Sequence, residues 1–359
     1  MICCCLSPRV HTSLFVLVLF VIVSLSLPVP AMAGQVNMFI YHRFGEPRYP
    51  STNIEPEVFS AQLQYLADQK IPVLPLADVA DCLAQGRDLP EHAVVLTVDD
   101  AFPSFLLNAM PLLRTHHFPV TLFVNTDSVG TPGYLGWDQL RQLMKEGVRL
   151  GNHTATHDYL LERRPGETHD LWRQRVTDDI VRAQQAILRE TGAKPEFFAY
   201  PYGEYSPELA KIVKTLGFRA AVAQQSGVVG DGADRFTLPR FPMGGGFATL
   251  DGFKSKAAMA PLQIALLSEV DPVLGPGETA PQLNIRLSPQ LYELERLQGF
   301  VQGDNRLVIT PVSGRLGEYT VQAEKPLTGR RNKYTLTVPL RSGGWAWFSQ
   351  PWFRPQSGG

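Results

Sequence analysis

Ala93-Val-Val-Leu-Thr-Val-Asp-Asp-Ala101 decides the fold, because a short apolar run leads straight into two adjacent carboxylates. Similar runs lie on both sides, at Met38–Tyr41, Ile71–Leu74, Val120–Val124, Val148–Leu150, Phe197–Tyr200, Ala220–Ala223 and Thr237–Phe241. Helix-period stretches separate most of them: 57–69, 106–116, 137–146, 171–191 and 206–216. Strand and helix alternating in this way read as a parallel α/β fold, most simply a barrel. Such folds gather their chemistry at the carboxyl ends of the strands. The residues found there are unusual: Tyr41-His42-Arg43, Asp99-Asp100, Asn152-His153 with His157, and Pro201-Tyr202-Gly203. Four strand ends are therefore expected to converge on one mouth.

Beyond about Leu262 the pattern changes. Pro272, Pro276 and Gly277 mark a linker, and then alternating runs follow, among them Leu283–Leu287, Tyr334–Val338 and Trp345–Phe348. Period-2 alternation between turn residues predicts a small, sandwich-like all-β domain. Trp345, Trp347 and Trp352 suggest packing or carbohydrate binding for it. At the other end, Arg9 and His11 precede an apolar run from Leu14 to Val23, which leads to Ala31-Met32-Ala33. This is the pattern of a secretory signal cut after Ala33, too short for a spanning helix. The expected division is an export signal over 1–33, a catalytic barrel over 34–260, a linker over 261–279 and a β domain over 280–359. The product would be periplasmic or secreted, with no membrane span after cleavage. Cys3, Cys4 and Cys5 would leave with the signal, so Cys82 stands alone and no internal disulfide can form.

The 359 residues carry 33 Lys+Arg against 34 Asp+Glu and are 44% hydrophobic. That composition excludes wholesale disorder and a dedicated nucleic-acid binder. It leaves a neutral partner open.

The polar groups themselves suggest a metal site. Neighbouring carboxylates on a strand end point in different directions, so one can bind an ion while the other faces the water it activates. His153-Thr-Ala-Thr-His157 sets two imidazoles at a spacing often used to grip one ion. Two His and one Asp leave coordination positions open, as in catalytic sites, and a zinc-type ion brings the pKa of bound water to about 7. The metalloprotease pattern H-E-x-x-H is absent, since Thr154 holds the glutamate position. The same donor set also suits non-haem iron.

These segments resemble the polysaccharide deacetylases, the NodB-homology group or carbohydrate esterase family 4. Thr97-Val98-Asp99-Asp100-Ala101 is similar to the family's T-F-D-D-G, His153–His157 to its H-[ST]-x-x-H, and Phe198–Gly203 to its R-x-P-Y-G. The resemblance spans roughly residues 37–260 and implies a distorted (β/α) barrel there. It implies a general base at Asp99 and a divalent metal, zinc before nickel, cobalt or iron, on Asp100, His153 and His157. It further implies an oxyanion contact from the Tyr202 N–H and a groove shaped by Pro201. The family's late histidine acid has no counterpart, because no histidine follows His169. Tyr41-His42 and Phe-Ala-Tyr-Pro-Tyr-Gly resemble a subgroup with rearranged motifs, the poly-N-acetylglucosamine deacetylases, which points to His42 as the acid. Ala199 stands where the family has the arginine that orients its catalytic aspartate, so Arg240 or Arg43 is expected to substitute. Trp137 either walls the groove or packs the rim.

The implied function is removal of N-acetyl groups from an extracytoplasmic N-acetylglucosamine polymer, with exopolysaccharide export machinery as a partner. The alternatives are an O-deacetylase with the same residues, or a carbohydrate-binding protein that has lost its activity.

Overall fold

The computed structural model describes residues 34–301 and 305–356, so the expected export signal over residues 1–33 lies outside the described residues. Six parallel strands run in the order β1 (Gln35–Tyr41), β2 (Ala93–Asp99), β3 (Val120–Val124), β4 (Arg149–Asn152), β5 (Phe197–Ala199) and β6 (Ala220–Val222). A two-residue strand, β7 (Phe241–Pro242), lies parallel to β1 on its other side. Just before it, Leu238 bridges Val222 of β6. The segment from Leu238 to Pro242 therefore touches both edges of the sheet, which is curled. Val229–Gly230 adds a short antiparallel strip to β1.

Helices cover the sheet: α1 (Pro56–Asp68), α2 (Leu76–Gln85), α3 (Met110–His116), α4 (Trp137–Lys145), α5 (His169–Thr191), α6 (Pro207–Thr215) and α7 (Leu250–Ala257). Their ends follow local chemistry. The Thr168 and Ser206 hydroxyls accept from backbone N–H groups in the first turns of α5 and α6, and left-handed Gly86 and Gly192 end α2 and α5. Burial on both faces explains the unbroken apolar runs. Every residue of β1, β2 and β3 is buried, with Phe39, Leu96 and Leu122 in one apolar cluster and Met38, Val95 and Phe123 in another.

Two expected strands differ. Ile71–Leu74 forms only a single bridge, Val73 to Val94, because Pro72 and Pro75 remove ladder donors. Thr237–Phe241 is likewise split by Pro239. The helix expected from Leu106 opens as a π-helical turn, Phe105–Ala109, before α3. Cys82 is half-buried at the edge of a cluster and has no disulfide.

The C-terminal strands form two four-stranded sheets. One runs Ala260–Pro261, β13 (Trp345–Phe353), β12 (Arg331–Pro339) and β9 (Gln298–Val301). The other runs Ala265–Leu266, β8 (Leu283–Arg286), β11 (Glu318–Ala323) and β10 (Leu307–Pro311). Leu283, Ile285 and Val321 from one sheet share a cluster with Leu336, Val338 and Ala346 from the other. The stretch 261–279 is not a free tether, since its first residues already pair with β13 and β8. The tryptophans pack inward or sideways. Trp352 is buried, Trp347 packs edge-on against Phe241 at 5.6 Å, and Arg296 covers half-buried Trp345.

Candidate active site

Asp99 ends β2 and is 2% exposed; Asp100 and Ala101 follow with φ of 76° and 56°. Thr154, His157 and Tyr202 are also left-handed, so five of the seven non-glycine positive-φ residues described stand on these three strand-end loops. Each such residue costs about 1–2 kcal/mol, and strain of this kind collects at functional sites. Ala101 bears this cost where a glycine would not.

The loops are held by side chains inside the fold. Asn152 of β4 donates to the Ile180 carbonyl and accepts from the Thr154 N–H at 2.8 Å, fixing the turn that presents His153. Asp179, midway along α5, accepts from the N–H and hydroxyl of Thr156. Gly203 has φ 72°, and a Cβ there would stand 2.2 Å from the Gln224 Cβ, so the turn after Pro201 requires glycine.

Three acceptor atoms converge. His153 Nε2 and His157 Nε2 are 3.2 Å apart, and Asp100 Oδ1 lies 3.5 Å from the first and 3.3 Å from the second. Asp100 Oδ1 is buried without a hydrogen-bond partner. The Ala199 carbonyl lies 2.8 Å from His153 Nδ1 and can only accept, so Nδ1 carries the proton and Nε2 offers a lone pair. Burial pushes the His153 imidazole down to about 3, against the pull of Asp99, and it lowers His157 too. Both rings are therefore neutral, the state that binds metal. Burial raises the Asp100 carboxyl to about 6, opposed by His42 and reinforced by the Asp99 charge. Three potential metal donors crowded together in a largely buried pocket suit a cation. Zinc held tetrahedrally at about 2.0–2.1 Å would set its donors about 3.3–3.4 Å apart, close to the spacings found. Asp100, His153 and His157 fit a divalent metal.

Asp99 is engaged differently. Both Arg240 Nη atoms lie 2.8 Å from its two carboxylate oxygens, and Arg240 is wholly buried. The same guanidinium donates through Nε to the Ala223 carbonyl. Burial pushes the Asp99 carboxyl up, but Arg240, with His153 and His42, outweighs it and holds the group down at about 2. Asp99 is thus a fixed anion beside the three acceptors. Of the two arginines expected to substitute for the one missing at Ala199, Arg240 is the one that pairs with Asp99. Arg43 does not reach it; it pairs with Glu46 at 2.6 Å and lies over the Phe102 and Tyr49 rings.

His42 follows β1, and its charge would act on both aspartates. Tyr202 (φ 58°, ψ 6°) sits in the turn Pro201–Gly203, edge-on to His157 at 4.7 Å and stacked on Tyr159 at 3.9 Å. Pro201 is buried at the start of that turn. Trp137 opens α4 half-buried against the core. Gly244 and Gly245 approach the backbone of Pro50–Thr52, so their missing side chains admit a loop of this chain.

Sequence reasoning missed Asn152 as a loop support, and it missed Asp179, Tyr159 and Glu204. Asp179 left no signal beyond an acid on a long helix. Glu204 is 1% exposed and is gripped by Arg330 from the C-terminal sheet, a pairing across more than a hundred residues that no local pattern announces.

A family described as polysaccharide deacetylase matches residues 86–221, which contain all three motif loops. The poly-β-1,6-N-acetyl-D-glucosamine N-deacetylase of Staphylococcus epidermidis is 24% identical over 211 residues, covering 57% of this chain and 73% of that protein. Among solved structures, the Streptococcus pyogenes deacetylase PplD in complex with acetate covers 63% of this chain and 99% of its own, with a TM-score of 0.55 at 21% identity. IcaB from Ammonifex degensii gives a TM-score of 0.55 at 24% identity, covering 63% of this chain and 97% of its own. Residues 86–221 thus carry a polysaccharide deacetylase domain, of the NodB-homology type.

Proposed function

We propose that the chain removes N-acetyl groups from N-acetylglucosamine units of an extracytoplasmic polysaccharide, and that it acts after export from the cytoplasm. The observation that carries this reading is the pairing of an ionised, Arg240-held Asp99 with three convergent metal donors beside it. The relative from Staphylococcus epidermidis, named for a β-1,6-linked polymer, supports that linkage for the substrate.

Asp100, His153 and His157 would hold the ion. When bound it supplies Lewis acidity, polarising a carbonyl oxygen and making water a nucleophile at neutral pH. Asp99 accepts the proton of the attacking water; because Arg240 neutralises much of its charge, it stays in place as an oriented base. Water adds to the acetamide carbon, and the Tyr202 N–H donates to the developing oxyanion while Pro201 shapes the groove. His42 gives its proton to the nitrogen as the C–N bond breaks, leaving a free amine and acetate.

Counting new primary amines against acetate released tests the reaction class. An N-deacetylase yields one amine per acetate from a poly-N-acetylglucosamine. Acetate without amine, from an O-acetylated glycan only, would establish the O-deacetylase reading instead. Loss of activity through a missing arginine has no support, since Arg240 meets Asp99.

A further inference from the structure

Gly34 is tied into the amino end of the sheet, opposite the active-site loops. Its N–H donates to Asp231 Oδ2 at 2.8 Å, and the other oxygen of that carboxylate accepts from the Leu89 N–H at 2.8 Å. One residue on, the Gln35 N–H donates to the Pro90 carbonyl, and Gln35 and Val36 pair with Gly230 and Val229. The ladder of β1 thus starts directly behind Gly34. A Cβ on Gly34 would stand 2.3 Å from the Leu89 carbonyl oxygen, so β1 has to be entered through a glycine. Among the described residues Asp231 makes no ion pair with a side chain; backbone N–H groups alone meet both its oxygens.

The sequence ahead of Gly34 is Ala31-Met32-Ala33, the small-x-small pattern after which an export-linked peptidase cuts. Hydrolysis there adds one water across the Ala33–Gly34 C–N bond. Ala33 departs as a carboxylate, and the nitrogen stays on Gly34, takes a proton and becomes an ammonium. In the uncut chain this nitrogen brings Asp231 a neutral N–H. In the cut chain it brings a full positive charge to a carboxylate already aimed at it, and hydrogen bonds between ionised groups are about twice as strong as neutral ones.

We propose that a peptidase of the export route cuts between Ala33 and Gly34, and that Asp231 receives the new N-terminal ammonium. The pair ties the start of β1 to the turn after Val229–Gly230 and, through Leu89, to the loop that leads into β2. The same two loops carry Arg87, Asp88, Glu91 and His92 on one side and Asp234 and Arg235 on the other. His92 is spent on the Ala257 carbonyl, and Asp234 accepts from the Phe236 N–H. Lys256, whose carbonyl accepts from Asn37 of β1, turns its ammonium back to the Gly252 carbonyl. Asp231 is the carboxylate in contact. It is exposed, so little stability is at stake, and the titration of the ammonium is the sharper readout. The inference does not depend on the deacetylation.

The test expresses the full chain with export, as wild type and as Asp231→Asn, and purifies the exported protein. Mass spectrometry of the intact protein reads its first residue, and the rate of α-amino acylation against pH reads the titration. The expected first residue is Gly34. In wild type its amino group titrates about one pH unit above the ordinary value of about 7.7–8.0, because the carboxylate favours the charged form, and in Asp231→Asn it returns close to that value. An uncut chain, a first residue other than Gly34, or equal titration in the two proteins overturns the proposal. If Asp231→Asn fails to reach the exported fraction, wild type decides alone: a raised value upholds the pairing and an ordinary one overturns it.

Discussion

Arg240 and Asp99 face each other in a bidentate pair, 2.8 Å at each oxygen, although 141 residues separate them. Leu238 to Pro242 brings them together, because this segment joins both edges of the sheet and turns Arg240 inward between its two contacts. A buried carboxylate stripped of its partner is costly, on the order of 3–5 kcal/mol.

Arg240→Met is therefore expected to lose about 3 kcal/mol or more in urea unfolding at pH 7. The sign of its pH dependence follows from Asp99. With a folded value of about 2 against an ordinary 3.8, wild type holds the Asp99 contribution fully above about pH 4 and loses it as pH falls through 2. In the variant the largest charge opposing burial is gone, and the carboxyl rises. The gap between wild type and variant shrinks as the medium is acidified. A gap independent of pH would show that Arg240 serves Asp99 in no electrostatic way.

Lys333 offers a test away from the site. Its ammonium donates to the Ser226 hydroxyl at 2.8 Å, while burial, with the Lys256 charge, pushes it down to about 8. Below pH 8 it is charged in both folded and unfolded chains, and only the folded one bears the desolvation cost. Stability is expected to rise from pH 8 toward 10.5, and Lys333→Met to be more stable than wild type at pH 7 by on the order of 2 kcal/mol. The advantage should fade by pH 10. A variant less stable at pH 7 would mean that the Ser226 bond outweighs burial.

The metal donors predict a thermodynamic signature independent of turnover. Zinc at a hundredfold excess over its dissociation constant should stabilise wild type by about 2.7 kcal/mol. His153→Ala should remove most of that shift. Equal stabilisation of both proteins would place the ion elsewhere.

Most of the candidate site was legible in the sequence, for a physical reason. Strand ends present consecutive polar residues, so Asp99, Asp100, His153 and His157 stand out in one dimension as they do in three. Arg240 was legible only as one of two candidates, because nothing local distinguishes it from Arg43; the curl of the sheet decides between them. The supports were not legible. Asp179 lies on a helix remote in sequence from Thr156, and Arg330 reaches Glu204 from a different sheet. The lost strand at Ile71–Leu74 was readable in principle, since Pro72 lies inside the run and Pro75 follows it.

The central claim is that an ionised Asp99 serves as base beside a metal on Asp100, His153 and His157. Acetate release by zinc-loaded wild type and Asp99→Asn, on poly-N-acetylglucosamine at equal zinc content, tests it most directly. The account predicts release by wild type and a fall of about a hundredfold or more in Asp99→Asn, the usual scale for a lost general base. Comparable rates from the two proteins would contradict it.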